Sequence, residues 1–192
     1  MRRGADGKLH GPINKRVWGS FASRKNLLQW VRDPAEVRRL SDRKEALYRE
    51  IIDERGVTVL PGAAELVCAL AAAGVPCAIA SSTPRANLDC ALQRMAPGVR
   101  ASFRAIVSSE DVSKGKPDPQ VFLLAAERLG APASRCVVFE DTLVGIEAAR
   151  AAKMRLVAVA TTNPPDRLRD ADRVVLTLRE ITGSDLATLV GV

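Results

Sequence analysis

The sequence predicts an α/β fold: a parallel sheet with helices on both of its faces. Three observations carry this. From Val57 onward, short apolar runs alternate with segments of helical periodicity. The runs are almost continuously apolar instead of alternating with polar residues, as expected of strands buried on both faces. The part before Val57 shows helical spacing only, so the chain divides into a helical region, 1–56, and an α/β region, 57–192.

Taken in order, Val17, Trp18, Phe21, Leu27, Leu28 and Val31 mark one amphipathic helix. Asp33-Pro34 breaks it and starts another, with Val37, Leu40, Leu47, Tyr48, Ile51 and Ile52 on its apolar face and Gly56 at its end. Pro61-Gly62 opens a helix bearing Leu66, Val67 and Leu70, and Gly74 closes it. A strand follows over Val75–Ala80, then a helix marked by Leu88, Leu92 and Met95, then a strand over Phe103–Val107. Phe122, Ala125, Ala126 and Leu129 form the next helix face, and Cys136–Phe139 the next strand. Leu143, Ile146 and Ala149 lie on a helix, Leu156–Ala160 and Val174–Leu176 on strands, and Asp185–Val190 on a last helix.

Composition narrows the function. The chain has 192 residues, 47% of them hydrophobic and 27% charged, enough for a packed core. No apolar run approaches the ~20 residues of a membrane span, and the first residues lack the apolar stretch of a secretory signal. Four cysteines without a C-x-x-C pair argue against a zinc knuckle or disulfide framework and for a reducing compartment. A single histidine excludes any mechanism that needs a His pair. The net charge of +7 points to an anionic partner, but the basic residues of 38–50 are interleaved with acids and aromatics are few. A small phosphorylated metabolite is therefore expected, and no nucleic acid or membrane.

Sites in parallel sheets lie at the carboxyl ends of the strands, and three such ends carry chemistry. Ser81-Ser82-Thr83 precedes a helix start, where hydroxyls and free amides suit either a phosphate or plain N-capping. In Lys114-Gly115-Lys116-Pro117-Asp118-Pro119, Asp118 suits an N-cap and Pro119 the first helical position. Lys116 is thus a cation on a stiff loop, able to neutralise a phosphoryl group or neighbouring carboxylates. Glu140-Asp141 places two acids at the end of a buried strand, where they need a compensating cation, and hard oxygen ligands suggest Mg²⁺. N-capping by Asp141 is the plainer alternative, and it leaves Glu140 unexplained.

Together, Ser81, Gly115-Lys116-Pro117-Asp118-Pro119 and Glu140-Asp141 with Gly145-Ile146-Glu147-Ala148-Ala149 resemble motifs two, three and four of the haloacid dehalogenase-like (HAD) hydrolases. The subfamily resembled includes β-phosphoglucomutase and the CbbY type. Residues 12–55 are similar to the tail of its helical cap, so 1–56 reads as a partial cap and 57–192 as the Rossmannoid core. Trp30-Val31-Arg32-Asp33-Pro34-Ala35-Glu36-Val37 also resembles a plant and algal plastid group of riboflavin-pathway phosphatases. The resemblance implies Ser81 as a phosphate hydroxyl ligand, Ser82 as a backbone amide donor, Lys116 as the catalytic cation that also binds phosphate, and Glu140 and Asp141 as Mg²⁺ ligands.

The family's first motif, a hydrophobic strand ending in Asp-x-Asp-Gly, has no counterpart. Asp6-Gly7 copies its last two residues, but Gly4 stands where the nucleophile belongs. In the family that strand is central, between those ending at Ser81 and at Asp141. Its absence leaves a gap of about 9.6 Å lined by unpaired backbone groups, unless the neighbours close up or another chain fills it. The expectation is a Mg²⁺-dependent phosphatase of a sugar phosphate or ribitylaminouracil phosphate, truncated and inactive as given, in the cytoplasm or a plastid. The alternatives are a non-catalytic phosphate- and metal-binding protein and a phosphomutase.

Overall fold

A computed structural model describes residues 2–3, 9–10, 31 and 33–191. The expected helix over Val17–Val31, except for Val31 itself, and the Asp6-Gly7 loop lie outside the described residues. The chain forms two compact units, Met1–Tyr48 and Arg49–Val192. In the first, β1 (Arg2–Arg3) pairs antiparallel with β2 (Leu9–His10). Helix α1 (Pro34–Arg55) begins there and continues into the second. Its start follows from sequence: Asp33 Oδ1 accepts the Ala35 N–H at 3.0 Å, and proline occupies the first helical position, where no amide is needed. It stops at Gly56, whose φ of +70° closes the last turn with an N–H bond to Ile52 O.

The second unit runs α2 (Ala63–Ala72), β3 (Cys77–Ala80), α3 (Arg85–Gln93), α4 (Pro97–Ala101), β4 (Phe103–Val107), α5 (Gln120–Leu129), β5 (Val137–Glu140), α6 (Leu143–Ala151), β6 (Arg155–Val159), β7 (Arg173–Val175) and α7 (Gly183–Val190). This is the expected alternation, with small shifts. Strand β3 starts two residues later than Val75, because Pro76 has no N–H for the ladder. Strand β5 extends one residue further than expected, so Glu140 is its last member. Strands β6 and β7 each sit one residue earlier than expected. The helix expected through Met95 ends at Gln93, and the short α4 restarts at Pro97.

All strand pairs of this unit are parallel, but they form two sheets. β3 pairs with β4, and β5 with β6 and β6 with β7. Among the described residues nothing pairs with the remaining edges of β3 and β5, and the two strands do not close on each other, so of the outcomes expected for the central slot these residues show the open one. The halves are joined by shared packing. One apolar cluster combines Val107, Phe122, Ala125, Val138, Ile146 and Leu156 with Ala78 and Ala80 of β3. A second lies on the other face, where Val157, Val159, Val175 and Leu186 meet Leu66, Leu70, Val137 and Phe139. Alternate residues of β5 therefore enter opposite clusters, as the two-residue period of a strand requires.

The loop after β4 is tied down by charge. Asp111 Oδ2 accepts from Ser108 N (2.7 Å), Ser108 Oγ (2.6 Å) and Arg85 Nη2 (2.9 Å), and Oδ1 accepts from Arg128 Nη2 (2.7 Å). Both guanidinium groups also donate to Ile106 O, at 3.0 and 2.6 Å. The hydrogen bonds from Arg128 and Ser108 hold the Asp111 carboxyl well below the usual carboxylate range. A carboxyl depressed in the folded state stabilises fully above its unfolded pKa of about 3.9 and loses that contribution as pH falls through the folded value. Asp111→Asn should lower the urea midpoint at pH 7. It should also leave that midpoint less dependent on pH below about 4 than in the parent chain. An unchanged acid slope in urea titrations would show that Asp111 carries no such linkage.

Candidate active site

The site grows from the end of β5. Val138 is buried and Phe139 half-buried, and the chain then turns out of the sheet at Glu140-Asp141 into α6. Thr142 caps that helix, its Oγ1 accepting the Gly145 N–H at 3.2 Å, so Asp141 is not the cap that the simpler reading allowed. Glu140 folds back over the helix start instead. Its Oε2 accepts from Asp141 N (2.8 Å), Thr142 N (3.0 Å) and Thr142 Oγ1 (3.0 Å). This placement needs a glycine at 145. A Cβ there would lie 2.1 Å from Glu140 Oε1 and from the carboxyl carbon.

The other carboxylate oxygen meets Lys116. Nζ of Lys116 donates to Glu140 Oε1 in an ion pair whose side chains are only 11% and 8% exposed. Burial pushes the Glu140 carboxyl up. The charge and hydrogen bond of Lys116, with the amides of Thr142 and Asp141, outweigh it and hold the carboxyl below its usual value. The ammonium also lies 4.5 Å from the centroid of the Phe122 ring, a further favourable contact for a cation.

Lys116 reaches this position because its loop is pinned. Gln120 Oε1 accepts from Ser113 N (2.9 Å), Ser113 Oγ (3.1 Å) and Lys114 N (2.9 Å). Asp118 N donates to Gly115 O at 3.1 Å, and the Lys116–Pro117 peptide bond is cis. Asp118 Oδ1 accepts the Gln120 N–H at 3.0 Å, the bond expected of a cap, but the helix begins at Gln120, with Pro119 rather than Asp118 in the flanking position.

Asp141 belongs to a different network. Its Oδ2 accepts from Thr161 Oγ1 at 3.0 Å and from Thr162 Oγ1, and its carbonyl accepts from Asn163 Nδ2 at 2.9 Å. Thr161-Thr162-Asn163, just beyond β6, was not singled out from sequence. The available signal was a polar triplet just beyond a strand whose residues after Arg155 are all buried. Oδ1 of Asp141 has no partner among the described residues. The two acids thus differ. Glu140 has its compensating cation in Lys116, and Asp141 has one oxygen held by two hydroxyls and the other without a partner among the described residues.

Ser81 and Ser82 stand at the end of β3. Ser81 N continues the ladder to Val107 O (2.9 Å), and its Oγ accepts the Thr83 N–H (3.1 Å), so it does not cap α3, whose flanking residue is Pro84. Ser82 is exposed, and its N–H has no protein partner among the described residues. Ser81 follows Ala80, and Glu140 follows Phe139. Ala80 and Phe139 line one cavity, which places both strand ends at its rim. The structure joins Lys116, Glu140 and Asp141 by hydrogen bonds, whereas Ser81 and Ser82 share no hydrogen bond with them among the described residues. Among the described residues no cluster of three or more His, Cys, Asp or Glu forms a ready metal cage. The donor set still suits Mg²⁺, which takes one or two carboxylates and keeps its waters.

Comparison with known proteins agrees with this geometry. The model of the haloacid dehalogenase-like hydrolases matches residues 10–153. The chloroplastic 5-amino-6-(5-phospho-D-ribitylamino)uracil phosphatase of Arabidopsis thaliana is 40% identical over 164 residues, 85% of this chain and 43% of that protein. Protein CbbY of Rhodobacter capsulatus is 38% identical over 124 residues, 64% of this chain and 55% of its own length. The chain thus spans about half the length of these curated relatives. Among solved structures, a family IA HAD hydrolase of Entamoeba histolytica superposes with a TM-score of 0.81 at 23% identity, covering 97% of this chain and 86% of its own. CbbY of Rhodobacter sphaeroides with phosphate gives 0.78, also at 23% identity, covering 90% and 80%. At these identities the likeness shows the fold. The family match spans well over half the residues and contains all three strand-end motifs: the chain belongs to the haloacid dehalogenase-like hydrolases.

Proposed function

We propose that this chain forms the phosphate- and Mg²⁺-binding core of a phosphomonoester hydrolase acting on a small phosphorylated metabolite, a sugar phosphate or a ribitylaminouracil phosphate. The observation that carries the reading is the buried Lys116–Glu140 pair beside Asp141, whose Oδ1 has no partner among the described residues. Asp141 holds the metal directly and Glu140 through water, while Lys116, the Ser82 N–H and the Ser81 hydroxyl receive the phosphoryl oxygens. Bound there, Mg²⁺ supplies charge neutralisation for the phosphoryl group. Lys116, positioned by Glu140, keeps a fixed cation at the same place without reorganisation. Thr161 and Thr162 orient the Asp141 carboxylate. Residues 1–56 act as part of a cap that selects the substrate.

The chloroplastic relatives, together with cysteines that are all unpaired, support a plastid or another reducing compartment. None of the described helices is long and apolar enough to cross a membrane.

The 192 residues contain no hydrophobic strand ending in Asp-x-Asp-Gly, so this stretch by itself has no aspartate nucleophile and turns over no phosphomonoester. Calorimetry should therefore find saturable binding of orthophosphate that strengthens with Mg²⁺ and loses that gain on chelation. The same preparation should leave para-nitrophenyl phosphate uncleaved. Asp141→Asn should weaken Mg²⁺ binding about tenfold or more. If neither ion binds saturably, the reading is wrong. Turnover that disappears in Asp141→Asn would overturn the inactivity.

The ion pair gives a separate test. Removing one partner leaves an uncompensated buried charge, so Lys116→Met should cost about 3–5 kcal/mol. The double variant Lys116→Met with Glu140→Gln should recover most of that loss. Additive costs in chemical denaturation would mean that the two groups do not act as a pair.

A further inference from the structure

The turn after β3 consists of Ser81, Ser82 and Thr83, residue types strongly preferred as helix caps, yet none of them caps α3. Pro84 holds the flanking position, and no side-chain cap comes from it. The first amide of the helix is met from 25 positions along the chain instead: Glu110 Oε2 accepts the Arg85 N–H at 2.9 Å. Beside that bond, the Ser109 N–H donates to Thr83 O at 3.1 Å. Ser109 Oγ in turn donates to Glu110 Oε2 at 3.2 Å. Two clasps from the turn after β4 thus hold the turn after β3, one on each side of Pro84.

The consequence lies in the groups this arrangement spares. A serine or threonine that caps a helix spends its oxygen on a helix amide. Here the hydroxyls of Ser82 and Thr83 have no partner among the described residues, and neither has the Ser82 N–H. Ser81 Oγ accepts the Thr83 N–H at 3.1 Å, which fixes the oxygen and leaves its proton to donate. Arg85, the cation nearest to this turn in sequence, fits the same division. Its Nη2 donates to Ile106 O at 3.0 Å and to Asp111 Oδ2 at 2.9 Å, so its charge is tied to the β4 side.

We propose that Glu110 is a positioning residue for the phosphate subsite of Ser81 and Ser82. Its carboxylate, with the Ser109 amide, caps α3 from outside the turn, and so keeps the Ser81 hydroxyl and the Ser82 N–H unspent and in fixed positions for a phosphoryl oxygen. The inference rests on the phosphate-binding reading above and adds to it a residue that touches no phosphate itself.

The sign of the effect separates positioning from simple electrostatics. Removing a negative charge near an anion site strengthens anion binding when charge alone matters. Loss of a positioning contact weakens it.

The test is calorimetry of the 192-residue chain with orthophosphate in the presence of Mg²⁺. Glu110→Ala should weaken orthophosphate binding about three- to tenfold, the loss of one helix cap carried to the subsite. Glu110→Gln keeps an acceptor oxygen without the charge and should stay within about twofold of the parent. Ser109→Pro deletes the second clasp and leaves the charge in place. That position accepts proline, because it opens the short helical turn Ser109–Asp111 and Ser108 before it is extended, with φ −107° and ψ 178°. The variant should weaken orthophosphate binding roughly threefold. Mg²⁺ affinity measured without phosphate should match the parent in all three variants, because Asp141 belongs to a separate network.

Unchanged or tighter orthophosphate binding in Glu110→Ala overturns the proposal. So does a loss in Glu110→Gln equal to that in Glu110→Ala, which would leave the acceptor oxygen without a role. An equal loss of Mg²⁺ affinity also overturns it, since that would mark general damage to the fold. Full affinity in Ser109→Pro removes the amide from the clasp, and it overturns the whole proposal if Glu110→Ala does not fold. A parent chain that binds no orthophosphate fails the reading of the site itself, and the positioning role falls with it. A parent that binds while the variants bind equally well fails this inference alone.

Discussion

One contact between distant parts of the chain organises the carboxyl pole of this molecule: the buried pair of Lys116 and Glu140. A carboxylate at the end of an interior strand is costly unless it is paired and hydrogen-bonded. Glu140 meets that condition with an ammonium on one oxygen and three donors on the other. Lys116 in turn requires a loop that cannot drift, which Gln120 and Asp118 supply from the start of α5. The pair thus couples the α5 entrance to the β5 exit. It also leaves Asp141 free to be organised separately by the hydroxyls beyond β6.

The second constraint is the division of the sheet. Two parallel half-sheets share one apolar cluster, so the unit holds together through helix α5 and side-chain packing rather than through a continuous ladder. Each half meets ordinary packing rules, with helices on both faces. What is unusual is the pair of inward-facing edges. Edges in natural proteins are normally covered, shortened or charged. Here they are short and lie under helices.

The pole and the cavity between β3 and β5 are adjacent, since Ser81 and Glu140 each follow a residue that lines the cavity. The end of the cavity therefore lies beside the residues proposed to hold phosphate and metal.

Much of this was legible in the sequence. The element order followed from the periodicity of apolar residues, because a buried strand and a packed helix face must each repeat with its own period. One motif missing where three others were present left an open slot as one of three possible outcomes, and the sequence did not choose among them. Local chemistry also placed Lys116, Glu140 and Asp141 at strand and loop ends. Three things were decided only by tertiary structure. Lys116, 24 positions before Glu140, is the cation that neutralises it. Thr161, Thr162 and Asn163 converge on Asp141 from the neighbouring strand. Gly145 is required because the Glu140 side chain occupies the space a Cβ would take. The reason is common to all three: periodicity and capping are set by residues a few positions apart, whereas pairing and close approach depend on which strand ends the fold brings side by side.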